Sequence, residues 1–167
     1  MFATGAVLDS FQSTAAAPRL VRGAITYVAG STGAIGTTTL FTVTGDVLVT
    51  MLAAKCTTDL TSGGAPTFDL GVTGQTGAFV STAPDVTGWD AGEWLDISVP
   101  SYKTAASENI ATIWGANAFT YGTPISANII QTISTATITG GVVRWYVQYV
   151  PLSGDGLVTL HANLTAF

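Results

Sequence analysis

The clearest pattern in the chain is a run of strand-forming residues that stops at a glycine and then resumes. It occurs at residues 42–48 and again at 137–143, each time as Thr-apolar-Thr-Gly, one further residue and two apolar residues. Tight β-turns of the primed types need positive φ angles, which glycine adopts at little cost. The pattern therefore predicts two β-hairpins, with two-residue loops at Gly45-Asp46 and Gly140-Gly141.

The two predicted hairpins differ in what their faces carry. In the first, Val43 faces Leu48 and Leu52 shares their side, and both faces are fairly apolar, which is typical of an interior or interface pair. The second has one core-like face, made of Ala136, Ile138, Val143, Trp145, Val147 and Tyr149. Its opposite face carries Arg144, Tyr146 and Gln148, which predicts an edge position or a contact with a partner.

Period-2 alternation and glycine-rich breaks continue through most of the chain. They predict further strands at 19–29, 67–72, 78–80, 94–99, 110–114 and 157–164, and Pro151 should end the strand that begins at Val142. No segment has a convincing helical period. The expected fold class is all-β, a β-sandwich or jelly roll of about eight to ten antiparallel strands with Gly-rich hairpins.

The chain divides into two parts by pattern. Residues 1–18 have weak periodicity and are interpreted as an N-terminal arm, whereas 19–167 form one sandwich or jelly-roll domain. The arm contains apolar residues that could dock on a neighbouring molecule, and the alternative is a frayed terminus with a few anchoring side chains. These apolar residues are Phe2, Val7, Leu8 and Phe11.

Charge is scarce in this chain. Asp, Glu, Lys and Arg make up 9% of the residues, against about 25% in typical soluble domains, and the net charge is −5. A surface with so few charges tends to associate, so we expect an assembly rather than a monomer. The five bases are scattered along the sequence, which argues against direct nucleic-acid binding. The longest apolar runs are far shorter than the roughly 20 residues that a membrane span needs.

The residues that usually carry chemistry are few. Cys56 is the only cysteine and lies among apolar neighbours, which favours a buried thiol. His161 is the only histidine, and no Gly-x-Ser-x-Gly element accompanies it. One Cys and one His are too few for a zinc site. We therefore expect no enzyme activity, no cofactor and no metal.

One short segment combines carboxylates with large aromatics. Asp90 and Glu93 lie between Trp89 and Trp94, a combination also found in glycosidase clefts. The same tryptophans could instead serve as stacking platforms for a glycan. The third interpretation is a Gly-containing turn whose tryptophans belong to the sandwich core.

Residues 40–49, the Gly-rich strands that follow and residues 138–146 resemble small structural proteins of tailed bacteriophages. The resemblance extends over roughly residues 20 to 160 and consists of low charge, abundant Thr, Gly and Ala, and an all-β pattern. Capsid decoration (cement) proteins are the most similar type. The resemblance implies a sandwich or jelly-roll subunit, with a homotrimer favoured, on the outer capsid surface of the virion.

The function that this resemblance implies is stabilisation by binding. Such a protein is made in the host bacterial cytoplasm and contacts several major capsid protein subunits at once, so it gains from multivalency and stabilises only the assembled shell. The candidate contacts are the arm and the face with Arg144, Tyr146 and Gln148. The alternatives are a tail fibre or baseplate module that binds a host glycan through Trp89 and Trp94, and a β-sandwich hydrolase.

Overall fold

A computed structural model describes residues 17–80, 85–96 and 122–167. All regular secondary structure in these ranges is β-strand. The ten strands are β1 (Arg19–Thr26), β2 (Gly36–Thr44), β3 (Val47–Ser62), β4 (Thr67–Val72), β5 (Gln75–Val80), β6 (Trp94–Asp96), β7 (Thr123–Ile125), β8 (Ile129–Ser134), β9 (Ile138–Pro151) and β10 (Leu157–Leu160).

The strands form two antiparallel sheets. The first has the order β1-β9-β3-β6, with β7 also paired to β3, and the second has the order β10-β2-β8-β4-β5. The two sheets pack against each other as a β-sandwich, so the predicted all-β fold class is confirmed. The central pair of the first sheet is β3 with β9, which are the two longest strands.

The core lies between the sheets and is built from the inward positions of both. Trp145 is fully buried on β9 and meets Phe68 of β4, with 6.4 Å between the ring centroids. Large side chains of this kind each contribute roughly 1.5–3 kcal/mol when buried. The other large and fully buried side chains are Ile25, Tyr27, Leu40, Phe41, Leu52, Leu70, Ile129, Ile133 and Tyr149.

The first predicted hairpin is wrong, because β2 and β3 belong to different sheets. Thr44 pairs with Leu157 on β10, whereas Val47 pairs with Pro151 on β9. Gly45 does adopt a positive φ of 61°, but it turns the chain from one sheet to the other. A glycine break predicts that the chain turns there, and the distant partners β9 and β10 decide which sheet each strand joins.

The second predicted hairpin is also wrong. Gly140 and Gly141 lie inside β9, which continues through both. Across the facing strand, Val142 pairs with Thr58 and Gly140 pairs with Thr61, so extra residues of β3 bulge opposite Gly141. Gly141 has a φ of 113°, which only glycine adopts readily. The positive φ therefore belongs to an irregularity within the long strand and not to a chain reversal.

The predicted faces of β9 are nevertheless confirmed. Ile138 and Val143 are both fully buried although they are five positions apart, an odd spacing that would put them on opposite faces of a regular strand, so the inward phase changes at the irregularity. A two-residue hairpin loop at Gly140-Gly141 would also put Ile138 and Val143 on one face. The predicted faces are therefore right although the predicted hairpin is wrong. Arg144, Tyr146 and Gln148 alternate with the buried residues and lie on the outer face.

A second irregularity changes the faces of β3. Val49 pairs with Tyr149 and Met51 with the next residue of β9, Gln148, so Thr50 is an extra residue. Buried positions are odd-numbered before this point and even-numbered after it. The predicted sharing of one face by Leu48 and Leu52 is therefore wrong. The same shift turns Lys55 toward the outer face.

Several other strand predictions are confirmed. β4 spans the predicted residues 67–72, and β9 ends at Pro151 as expected. The predicted strand at 94–99 begins as β6, and its last three residues lie outside the described ranges. The strand predicted at 110–114 and nearly all of the arm, residues 1–16, lie outside them as well.

Candidate functional site

The outer face of the first sheet gathers cationic and aromatic side chains from four strands. The strand register places Arg22 of β1 opposite Tyr146 of β9, and Lys55 of β3 opposite both Arg144 of β9 and Trp94 of β6. Phe167 joins them from the end of the chain. We call this cluster the basic-aromatic face, and its members are Arg22, Lys55, Trp94, Arg144, Tyr146 and Phe167.

The chain end is held against the edge strand β1. The Ala24 N–H donates to the Thr165 carbonyl and the Thr165 N–H donates to the Ala24 carbonyl, both at 2.8 Å. This pairing brings the Phe167 ring over the outer face. The Arg144 guanidinium lies 4.5 Å and the Arg22 guanidinium 5.5 Å from the ring centroid, so one ring orders two cations.

The remaining rings continue the cluster across the sheet. Tyr146 meets Phe167 edge-on, with 5.7 Å between the ring centroids, and it also packs against Trp94, with 5.5 Å between the centroids. The Lys55 ammonium lies 5.3 Å from the Trp94 ring centroid. Each such cation–π contact is worth about 0.5–1 kcal/mol at an exposed site. Together they hold the side chains in defined positions before any partner binds.

The face is positively charged on an acidic protein. It holds three of the four Lys and Arg residues in the described ranges, and the fourth is Arg19. These bases are distant in sequence, which is why they appear scattered, and the pairing of β1, β9 and β3 brings them together. Five aspartates are exposed in the described ranges and lie in turns and loops or near the end of β3: Asp46, Asp59, Asp85, Asp90 and Asp155.

Two exposed apolar side chains, Leu20 and Met51, border the face on one side, with Gln148 between them. Gln148 pairs with Leu20 on β1 and with Met51 on β3, and these two side chains are 55% and 37% exposed. The Thr50 hydroxyl donates to the Gln148 side-chain oxygen at 3.2 Å. The predicted contact residues Arg144, Tyr146 and Gln148 are thus brought together with partners on both neighbouring strands.

The two tryptophans of the predicted glycan platform point in different directions. Trp89 is 3% exposed and packs on Phe68 in the core, with 5.9 Å between centroids, so it offers no surface to a sugar. Trp94 is partly exposed and belongs to the basic-aromatic face. The core interpretation therefore holds for Trp89 and not for Trp94.

The carboxylates between those tryptophans have unequal environments. Glu93 is buried, and its carboxylate accepts the Asp90 backbone N–H at 3.0 Å. The Trp89 indole N–H donates to the Glu93 carbonyl at 3.3 Å. Asp90 is exposed. The side chain of Glu93 therefore stabilises a turn, which is the structural role that the Gly-containing segment suggested.

Cys56 is buried, as predicted. Its thiol donates to the Thr58 carbonyl at 3.1 Å and lies 3.3 Å from the Trp89 carbonyl. Burial raises the pKa of this thiol to about 11, so it stays protonated at neutral pH. His161 lies after β10, where its Nδ1 accepts the Asn163 N–H at 3.4 Å.

A groove of about 530 Å³ lies beside β5 and β7 at one end of the sandwich. Val72, Phe79, Ile125 and Leu152 supply much of its described lining, and Asp46 is the single carboxylate there. No histidine or cysteine is part of that lining.

Across the described ranges no group of three or more His, Cys, Asp or Glu side chains could hold a metal ion. No described helix has the length and apolarity that crossing a membrane requires.

The residues of the predicted arm, Phe2, Val7, Leu8 and Phe11, lie outside the described ranges, so their contacts stay a prediction. The sequence pattern predicted the β9 part of the face and did not indicate Arg22, Lys55 or Phe167. The outward-facing positions of each strand could have indicated these residues, but only once the order of the strands in the sheet is known.

Comparisons with protein-family models, with curated proteins and with solved structures found no match to this chain.

Proposed function

We propose that this chain is a non-catalytic structural protein that binds and stabilises the assembled capsid of a tailed bacteriophage, docking through the basic-aromatic face. The observation that carries the proposal is the continuous cluster of three rings and three cations on an exposed sheet surface. Tyr, Trp, Phe and Arg are the residue types enriched at protein interfaces, and Tyr, Trp and Arg dominate their binding energy.

The rigidity of the face supports a binding role. Ordering a flexible side chain at an interface costs roughly 0.5–1.5 kcal/mol, and this cost subtracts from affinity. Here the Arg22 and Arg144 side chains already rest on Phe167, and Lys55 already rests on Trp94. The strands beneath belong to the sheet that contains the long β3–β9 pair. A partner therefore meets a surface that needs little further ordering.

The resemblance to decoration proteins supplies the partner, the major capsid protein on the outer surface of the virion. A trimer would present three copies of the face, so that each further contact forms at high effective concentration. Because the contacts exist only on the assembled shell, binding stabilises that state by mass action. The low charge of the chain, 9% of residues, also favours an assembled state.

The glycan-binding alternative has less support. It relied on two tryptophans, and Trp89 is buried in the core. Trp94 is exposed only in part, and the Lys55 ammonium and the Tyr146 ring already pack against it. A sugar ring would need an open aromatic surface for stacking.

The test is co-sedimentation of the purified chain with empty, expanded capsids that lack it. The wild-type chain should bind saturably, and bound shells should withstand a higher temperature before they break. Tyr146→Ala combined with Trp94→Ala should weaken binding at least tenfold. Leu157→Ala is the matched control, because it removes a 41% exposed apolar side chain from the second sheet. No occupancy by the wild type, or equal binding by the double variant, would refute the proposal.

A further inference from the structure

We infer that the partner surface at the basic-aromatic face carries carboxylate groups that bind Arg22, Lys55 and Arg144. This inference rests on the docking role proposed above and specifies the chemistry of the partner. It arises from how the three cations are held, how they are spaced and which charges the rest of the chain presents.

In the part of the chain that the structure describes, the three cations rest on aromatic rings. The side-chain contacts described for Arg22, Lys55 and Arg144 are with Phe167 and Trp94. A guanidinium group that lies over a ring keeps its N–H donors in its own plane, along the edges that the ring does not cover. Those edges match a carboxylate, which can accept two parallel N–H bonds from one guanidinium. The face thus offers ordered cations whose N–H donors the rings leave uncovered.

The strand register sets the spacing of the complementary groups. Arg144 and Lys55 are directly opposite on β9 and β3, where Cβ atoms are about 4.5–5.5 Å apart. Arg22 is diagonal to Arg144, because Arg144 pairs with Ala24, two residues along β1. Diagonal neighbours are about 7–8 Å apart. A fitting partner therefore presents at least two carboxylates within about 10 Å of one another.

The charge of the face disfavours a two-fold contact of the face with itself. Such an interface would bring the same patch from both copies together and set three cations against three. Like charges brought together at an interface are unfavourable by several kcal/mol. A different surface, with negative charge, is therefore the better complement to this face.

Single-stranded nucleic acid is a weaker fit to the same cations. Binding of that kind uses open aromatic faces on which successive bases stack. Here two guanidinium groups lie over Phe167, and Lys55 and Tyr146 pack against Trp94. The net charge of −5 also repels a polyanion outside the immediate patch. A carboxylate needs only the donor edges, which the rings leave free.

The experiment measures the affinity of purified chains for empty, expanded capsids at low and high salt. Arg22→Gln combined with Arg144→Gln should weaken binding by roughly 10-fold to 100-fold per lost charge-assisted hydrogen bond. Wild-type affinity should fall as salt rises, and the double variant should lose most of that dependence. Arg19→Gln is the control for the Arg22→Gln change: it removes one positive charge from the same strand, β1, at a position where no ring contact is described, and should change affinity less than twofold. Arg144→Lys should be intermediate, because it keeps the charge and loses the planar fork.

Two soluble probes separate the classes of partner. Poly-L-glutamate should compete with capsids for the wild-type chain, and oligo-dT of equal charge should compete less well. If the wild type binds no capsids, the proposed function itself fails. If it binds but the double variant and the control behave alike, the proposed function stands and the carboxylate inference is overturned. Tighter competition by oligo-dT, or loss of self-association in the double variant, would also overturn it, in favour of nucleic acid or a second copy.

Discussion

Replacing Gly141 by alanine tests the bulged β9 strand against the hairpin that the sequence suggests. Gly141 has a φ of 113° and faces the irregular part of β3, whereas Gly140 has no positive φ. A type I′ hairpin at these residues would need positive φ at both central positions. The two substitutions should therefore have very different effects in the bulged strand and similar effects in a hairpin.

The structure gives the size of the expected effect. A Cβ atom on Gly141 would lie 2.5 Å from Leu60 Cδ2, 2.7 Å from the Asp59 carbonyl oxygen and 2.9 Å from Leu60 Cα. Two of these atoms are backbone atoms and cannot rotate away. A left-handed backbone costs an L-residue about 1–2 kcal/mol, and overpacking adds about 1–3 kcal/mol. We expect Gly141→Ala to lower the free energy of unfolding by about 3 kcal/mol.

For Gly140→Ala the nearest atom is the Thr61 hydroxyl oxygen at 2.9 Å, and the change should stay within about 1 kcal/mol. Urea unfolding followed by tryptophan fluorescence measures both variants, since Trp145 and Trp89 are buried. Thermal midpoints should differ by about 6–12 °C from wild type for Gly141→Ala. Equal losses in the two variants, or no loss in Gly141→Ala, would refute the bulged strand.

Three further predictions concern the core and the arm. The Tyr27 hydroxyl donates to Gln131 Oε1 at 2.8 Å in the core, so Tyr27→Phe should lower the free energy of unfolding by about 1–3 kcal/mol, and adding Gln131→Leu should recover part of the loss. The pKa of Cys56 rises from 9.0 to about 11 on folding, so stability should fall by about 1.4 kcal/mol per pH unit between pH 9 and 11. Burial raises the pKa of Tyr27 as well. In Cys56→Ala, the free energy of unfolding should therefore begin to fall only near pH 10, about the ordinary pKa of tyrosine. If urea titrations show that the fall begins at the same pH in Cys56→Ala as in the wild type, the assignment to Cys56 is wrong. Deleting residues 1–18 should lower capsid occupancy in co-sedimentation, and unchanged occupancy would remove the arm from the docking account.

Local pattern was sufficient to predict the fold class and many strands. Residues 67–72 alternate cleanly, and they form β4 with Phe68 and Leu70 inward. The alternation in β9 likewise identified which residues face out, including Arg144 and Tyr146. These predictions succeed because side-chain period and burial are properties of a single strand.

Connections between strands depend on distant partners and could not be predicted in the same way. The residue pattern around Gly45 is compatible with two connections: the next strand can pair with the previous one, or it can cross to the other sheet. Here β3 gains a long pairing with β9, about a hundred residues later in the chain. The basic-aromatic face depends on that pairing too, because Lys55 and Arg144 meet only across it. Phe167 was missed since its position follows from the pairing of Thr165 with Ala24.

An electron cryomicroscopy reconstruction of decorated capsids tests the central claim most directly. We expect the outer face of the first sheet to lie against the shell, with Arg144, Tyr146 and Phe167 at the contact and carboxylates of the major capsid protein opposite the arginines. A reconstruction in which the second sheet or its loops face the shell would contradict the account. So would density for the chain on the tail, or on no part of the particle.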